Sequence, residues 1–327
     1  MNGLIKGKIG LGTAPLGNMF REVPEEEALE TISTAWDQGV RYFDTAPFYG
    51  AGLAESRLGE VLSRHDRDDY FLSTKVGRLI SDEMEDKEGL FEYGRKNKII
   101  ENYSEDGTLR SIEQSLERLK TDRLDFVYVH DISPDFHGDD WITKFDTARK
   151  GAFRALTRLR EEGVIKSWGL GVNRTEPIEI AIELEETIPD LCLQATRYTL
   201  MNHEHALQKL MSSALEKNIG IIVGAPYSSG VLVGGNHYEY QEAPDEIVTK
   251  AKKIQELASK YQVSVKSVAL QFSMAHPAVA AVIPGTTRPA HVKEDIAATQ
   301  EVIPSVFWQD LREQNLVSPI APLPIDE

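Results

Sequence analysis

Short apolar runs rich in β-branched residues recur along the chain and alternate with longer stretches in which apolar positions return every three or four residues. The runs are KIGLG (8–12), RYFDT (41–45), YFLSTK (70–75), LDFVYVH (124–130), SWGLGV (167–172), LCLQA (191–195), GIIVGA (220–225) and VAAVIP (279–284). Each predicts a strand. The stretches between them read as helices: PEEEALETISTAWDQG opens on Pro24 and three acids, which suit a first turn, and stops at Gly39. SEDGTLRSIEQSLERLK, ARKGAFRALTRLREEG and NHEHALQKLMSSALEKNIG have the same build. Eight strands with intervening helices predict an α/β fold of the closed (β/α)8 TIM-barrel kind rather than an open doubly wound sheet. The expected unit is a single domain over 1–327, with the barrel at about 8–302 and a C-terminal helix and proline-rich tail over 303–327.

Two intervals are too long for plain connections. Residues 76–104 and 131–148 follow the third and fourth strands, and long loops after barrel strands lie on the C-terminal face, where they are predicted to wall a pocket. The sequence leaves open whether the tail also covers it.

Composition narrows the partners. Of the 327 residues, 36 are Lys or Arg and 52 are Asp or Glu, and the net charge of -16 opposes attachment to nucleic acid or to an anionic membrane surface. No stretch reaches the ~18 apolar residues of a membrane span, and the N-terminus has no secretory pattern, so a cytoplasmic protein is expected. The single cysteine, Cys192, stands among apolar residues and is expected to be a buried thiol. His203 and His205 are two apart, not the i, i+4 of a helical zinc site, and no metal is expected.

If the strands are placed correctly, Asp44, Lys75 and His130 all fall at strand C-termini, with Tyr49 just beyond Asp44. Taken singly, each has an ordinary structural explanation as an ion pair or a packed ring. Together they make a proton-transfer site, because an ammonium beside a phenol of ordinary pKa ~10 favours the phenolate, and a carboxylate keeps that ammonium charged. Lys75 is therefore expected to lower the Tyr49 pKa, Asp44 to fix Lys75, and His130 to hold a substrate oxygen. Further on, IPGTTRPAHVKEDIAA ends a strand in Gly285, Thr286, Thr287 and Arg288 and opens a helix at Pro289, a loop suited to phosphate binding. GLGTAPLG (10–17) imitates a dinucleotide fingerprint, but no helix follows it until residue 24, so it reads as a turn.

GVRYFDTAPFYGAGLAESRLGEVL, SLERLKTDRLDFVYVHD and GVIKSWGLGVN are similar, in order, to three signatures of the aldo-keto reductase family. The resemblance runs from the first strand to about residue 300. It implies a barrel binding a nicotinamide cofactor, with Asp44, Tyr49, Lys75 and His130 as the catalytic tetrad and Tyr49 as the proton carrier. It also places Asn173 and Gln194 at the carboxamide, although the family's Ser-Asn pair reads Asn173-Arg174 here, and offers Tyr227 as a stacking ring. Where NADP-using members carry a lysine, an arginine and an amide, this chain has Gly285, His291 and Asp295, so NAD is favoured over NADP. VHDISPD and QATRYTL resemble the branch of aldose 1-dehydrogenases, L-fucose and L-galactose dehydrogenases and pyridoxal 4-dehydrogenase. That implies an NAD(P)-dependent enzyme oxidising an aldose lactol to a lactone, with pyridoxal as the alternative substrate and a sugar or aldehyde as the only expected small partner. A non-catalytic, cofactor-binding regulatory subunit and a homo-oligomer remain open at this point.

Overall fold

The computed structural model describes residue 5 and residues 8–325; residues 1–4, 6, 7, 326 and 327 of the expected 1–327 unit lie outside the described residues. In chain order the strands are β1 (Leu11–Gly12), β2 (Tyr42–Asp44), β3 (Phe71–Val76), β4 (Arg78–Met84), β5 (Asn97–Glu101), β6 (Phe126–His130), β7 (Ser167–Val172), β8 (Leu191–Ala195), β9 (Gly220–Gly224), β10 (His237–Tyr238), β11 (Gln241–Glu242) and β12 (Val279–Ile283). The helices are α1 (Glu25–Asp37), α2 (Leu53–Leu62), α3 (Glu105–Leu119), α4 (Pro134–His137), α5 (Trp141–Lys150), α6 (Ala152–Glu161), α7 (Glu176–Ala181), α8 (Glu204–Gln208), α9 (Leu210–Glu216), α10 (Asp245–Lys260), α11 (Val265–Ala275), α12 (Pro289–Ala298) and α13 (Ser305–Glu313).

Eight strands form one parallel sheet in the order β1-β2-β3-β6-β7-β8-β9-β12. Parallel bridges from Ile9 to Val282 and from Gly12 to Gly285 join its two edges, which closes the barrel. The eight runs expected from the sequence are these eight strands, differing only at their ends. Both faces of each strand are buried, which is why the runs read as continuously apolar. Tyr42, Phe126, Tyr128, Leu193 and Ile222 fill the interior, while Phe43, Val127, Trp168 and Ile221 point outward against the helices.

The long intervals are ordered structures on the C-terminal face. Residues 76–104 hold the antiparallel β4–β5 pair, and 131–148 hold α4 and most of α5. A third elaboration, not anticipated from the sequence, follows β9: a 3-10 turn over Ser228–Val233 and the small β10–β11 hairpin. It reaches the loop after β1, where the rings of His237 and Phe20 stack at 4.7 Å. The tail question is answered as well. Phe307, Trp308 and Leu311 of α13, with Leu316, Val317 and Leu323 beyond it, pack with α10 and α11 in a cluster of their own, and the Ser318 N–H donates to His203 Nε2 at 2.9 Å.

Candidate active site

Sheet register brings the expected residues together. Asp44 pairs with Ser73 across β2 and β3, and Lys75 lies two residues further on, on the same face of the strand. His130 ends β6, the next strand over, opposite Gly171 of β7. A Cβ on Gly171 would come within 3.3 Å of Lys75 Cε, so the glycine leaves the lysine its channel. Lys75 is only 1% exposed. Its Nζ donates to Asp44 Oδ2 at 2.7 Å and to the Thr45 carbonyl at 2.8 Å. The second carboxylate oxygen of Asp44 accepts from Ser73 Oγ at 2.7 Å, and Ser73 in turn meets Tyr42, which meets Tyr128. Asp44 is thus fixed on both oxygens.

Tyr49 sits half-buried in the turn after β2. Lys75 Nζ is 4.7 Å from the centre of its ring, His130 meets it edge-on at 5.9 Å, and Phe91 from the β4–β5 connection stacks on it at 5.8 Å. One expectation is corrected here. The Tyr49 phenol is held well above its ordinary pKa, not below it: burial raises it, the Asp44 and Asp131 carboxylates add to this, and Arg78 opposes. His130 is held well below its ordinary value by burial and by Arg78 and Lys75, which leaves a neutral imidazole. Tyr49 is therefore a protonated phenol at neutral pH beside an uncharged histidine.

Two connected spaces open on this group. A chamber of about 70 Å³ is walled by Phe48, Leu90, Phe91, Phe136 and Tyr240, with Tyr49, His130, Asp131 and Asn173 facing in. A trough of about 480 Å³, within the ~300–1,000 Å³ of typical ligand sites, runs from Asp44 and Tyr49 to Lys266, His291, Glu294 and Asp295. Gly285, Thr286 and Tyr227 also line it.

The remaining expected contacts divide. Tyr227 lines the trough, and its hydroxyl donates to Asp295 Oδ1 at 2.6 Å. Lys266 Nζ reaches Glu294 at 2.7 Å and Asp295 at 3.3 Å there. Thr287 turns away, its hydroxyl accepting from Arg21 Nη2 at 2.6 Å and its carbonyl from Thr31 at 2.9 Å. Arg288 is exposed and borders a separate shallow cleft with Arg21 and Glu27. Asn173 Nδ2 donates to Asp135 at 2.8 Å. Gln194 donates to the Asn173 carbonyl at 2.6 Å, while its buried Oε1 has no partner. Cys192 is buried as expected, its thiol pushed up to about 12 by burial.

Sequence reasoning missed Arg78, Asp131 and Tyr240. Arg78 Nη1 donates to Asp131 Oδ2 at 2.7 Å, and its guanidinium lies 4.2 Å over Phe48. Tyr240 lines both spaces. Asp131 was readable as the residue after His130; the other two had no local signal.

The sequence profile of the Aldo/keto reductase family matches residues 8–315. The chain is 33% identical over 332 residues to pyridoxal 4-dehydrogenase of Microbacterium luteolum, covering 97% of this chain and 96% of that protein. It is 34% identical over 326 residues to D-threo-aldose 1-dehydrogenase of a Pseudomonas species, covering 96% of each. An aldo-keto reductase from Bacillus halodurans, solved in its holo form, shares the fold with a TM-score of 0.73 at 22% identity, covering 98% of this chain and 95% of that one. Among the described residues, no helix is long and apolar enough to cross a membrane.

Proposed function

Because the chain belongs to the aldo/keto reductase family of NAD(P)-dependent oxidoreductases, we propose that it oxidises the cyclic hemiacetal of an aldose to a lactone, with NAD preferred over NADP. The observation that carries this reading is the grouping of Tyr49, His130 and the Lys75–Asp44 pair at the junction of a small chamber and a long trough. The residues present suit a dinucleotide. The trough spans the barrel mouth from Tyr49 to α12, Gly285 and Thr286 offer a backbone cradle, and Gln194 Oε1 is a buried acceptor awaiting an amide donor. Asn173 and Gln194 would hold the carboxamide, and Glu294 and Asp295 would face the adenosine ribose.

The bound nicotinamide supplies the hydride acceptor, or the donor in the reverse direction. The protein supplies the proton path and the dry setting. In oxidation Tyr49 would first release its proton to solvent, and the phenolate would then take the hydroxyl proton as the hydride leaves the anomeric carbon; in reduction the protonated phenol would give its proton to the carbonyl oxygen. His130 holds the same oxygen without competing for the proton, since its imidazole is neutral. The Lys75 ammonium, held by Asp44, lies against the Tyr49 ring, and Phe48, Phe91 and Phe136 wall the chamber with apolar surface.

Pyridoxal also closes to a cyclic hemiacetal, and the aromatic chamber walls accept a flat ring as well as the C–H face of a sugar. The two readings separate in one experiment: L-galactose, D-arabinose, L-fucose and pyridoxal, each with NAD and NADP, followed by nicotinamide absorbance. Turnover of an aldose with NAD supports the first reading. Turnover of pyridoxal alone replaces it with the second. NADH binding without turnover of any of them would leave a regulatory subunit.

A further inference from the structure

Asp131 is an expensive residue to place where it is. It is 4% exposed, it takes a positive φ of 54° that non-glycine residues seldom adopt, and it is the only carboxylate lining the chamber. Backbone bonds hold it there: its N–H donates to the Gly171 carbonyl at 3.0 Å, and its carbonyl accepts from the Ser133 N–H at 2.8 Å. Oδ2 accepts from Arg78, whose guanidinium is held between Phe48 at 4.2 Å and Phe136 at 5.5 Å. Oδ1 takes no hydrogen bond from any described residue. The ion pair accounts for one oxygen and leaves the other open to the chamber.

The carboxylate that carries this oxygen lies beside His130. Asp131 directly follows His130, and Oδ2 is 3.5 Å from His130 Nε2. Two polar groups so close match two oxygens on neighbouring carbons of one ring, with His130 on the oxygen of the reacting carbon. We propose that Asp131 accepts a hydrogen bond from the hydroxyl on the carbon next to the reacting one, the C2 hydroxyl of an aldose, so that the enzyme selects 2-hydroxy over 2-deoxy sugars. This rests on the lactol reading above and names the feature of the sugar that is recognised. The hydroxyl engages the open oxygen only in the complex, and a site built to hydrogen-bond a substrate hydroxyl disfavours an analogue that lacks it.

The test compares L-galactose with 2-deoxy-L-galactose and D-arabinose with 2-deoxy-D-ribose, in the wild type, in Asp131→Ala and in the paired variant Arg78→Met/Asp131→Leu. The paired variant removes both charges, so no unpaired guanidinium is left in the interior to unfold it. Wild-type kcat/KM is expected to be about 10–100-fold higher for the hydroxylated member of each pair, as suits a charged hydrogen bond. Both variants should bring that ratio below about 3-fold, by losing activity on the hydroxylated sugar, while NADH still binds in a fluorescence titration. Equal losses on both members would overturn the proposal and reduce Asp131 to an aid to His130. A wild type that does not discriminate would overturn it too. If no aldose is turned over, the substrate reading falls along with it, a result distinct from either of the others.

Discussion

At the scale of single residues, the proposed chemistry turns on Tyr49, a phenol that burial holds above its ordinary pKa. With the Tyr49 pKa above its ordinary value, carbonyl reduction, which needs the phenol's proton, should be flat from neutral pH into the alkaline range. Oxidation needs the phenolate and should climb steadily with pH. Stopped-flow rates of the hydride step in both directions check the sign; a falling oxidation rate above pH 8 would contradict it. Tyr49→Phe removes the proton carrier and should lower turnover ~10²–10⁴-fold with NADH affinity kept. Lys75→Met takes away the ammonium 4.7 Å from the ring and leaves Asp44 without its partner, so oxidation at pH 9 should drop at least ~10-fold. An unchanged pH profile in that variant would detach Lys75 from proton transfer. These four residues were legible because each stands at or just after a strand end. The sign of the Tyr49 shift was not legible, because burial depends on Phe91 and the other chamber walls, which arrive from distant parts of the chain.

At the scale of elements, the glycine-rich stretch after β1 has a packing role that its motif-like spelling concealed. A Cβ on Gly17 would lie 2.5 Å from the Tyr49 carbonyl carbon, and one on Gly50, at φ 65°, 2.3 Å from the Gly17 oxygen. The two turns cross backbone to backbone, and this contact seats Tyr49. Arg57 of α2 ties the same region by donating to the Leu16 and Val23 carbonyls and to Asn18. Gly17→Ala should cost about 1–3 kcal/mol, read by denaturant unfolding, and should also reduce turnover because Tyr49 shifts; full activity in a stable variant would argue against the seating role. Barrel strands were readable because strands apolar on both faces leave a strong signal. The β4–β5 pair was not, since a long connection rather than a two-residue turn joins it. The hairpin after β9 has strands of only two residues, too short for any periodicity to show.

At the scale of the whole molecule, a protein of net charge -16 in a family that uses NAD(P) must accommodate an anionic dinucleotide, and the proposed preference for NAD follows from the charges along the trough. At the end near α12 the single ammonium of Lys266 is shared between two carboxylates. His291, held below its ordinary pKa by burial and by Lys266 and Arg288, adds no positive charge at neutral pH. Arg21 and Arg288 face a different cleft. A 2′-phosphate, carrying roughly 1.5–2 negative charges by analogy with other phosphomonoesters, would meet Glu294 and Asp295, while among the described residues lining the trough Lys266, the one Lys or Arg there, is already shared between those two carboxylates; a ribose diol can donate to the same oxygens. NADH should therefore bind at least ~10-fold more tightly than NADPH at low salt, and the gap should narrow as salt screens the repulsion. Glu294 is on the surface of α12, where Glu294→Lys can be made without disturbing the core, and this change should bring the two affinities within about 3-fold. Fluorescence titrations of both coenzymes at two ionic strengths measure this directly. Equal affinities in the wild type, or a preference that the Glu294 change leaves untouched, would place coenzyme selection elsewhere along the trough.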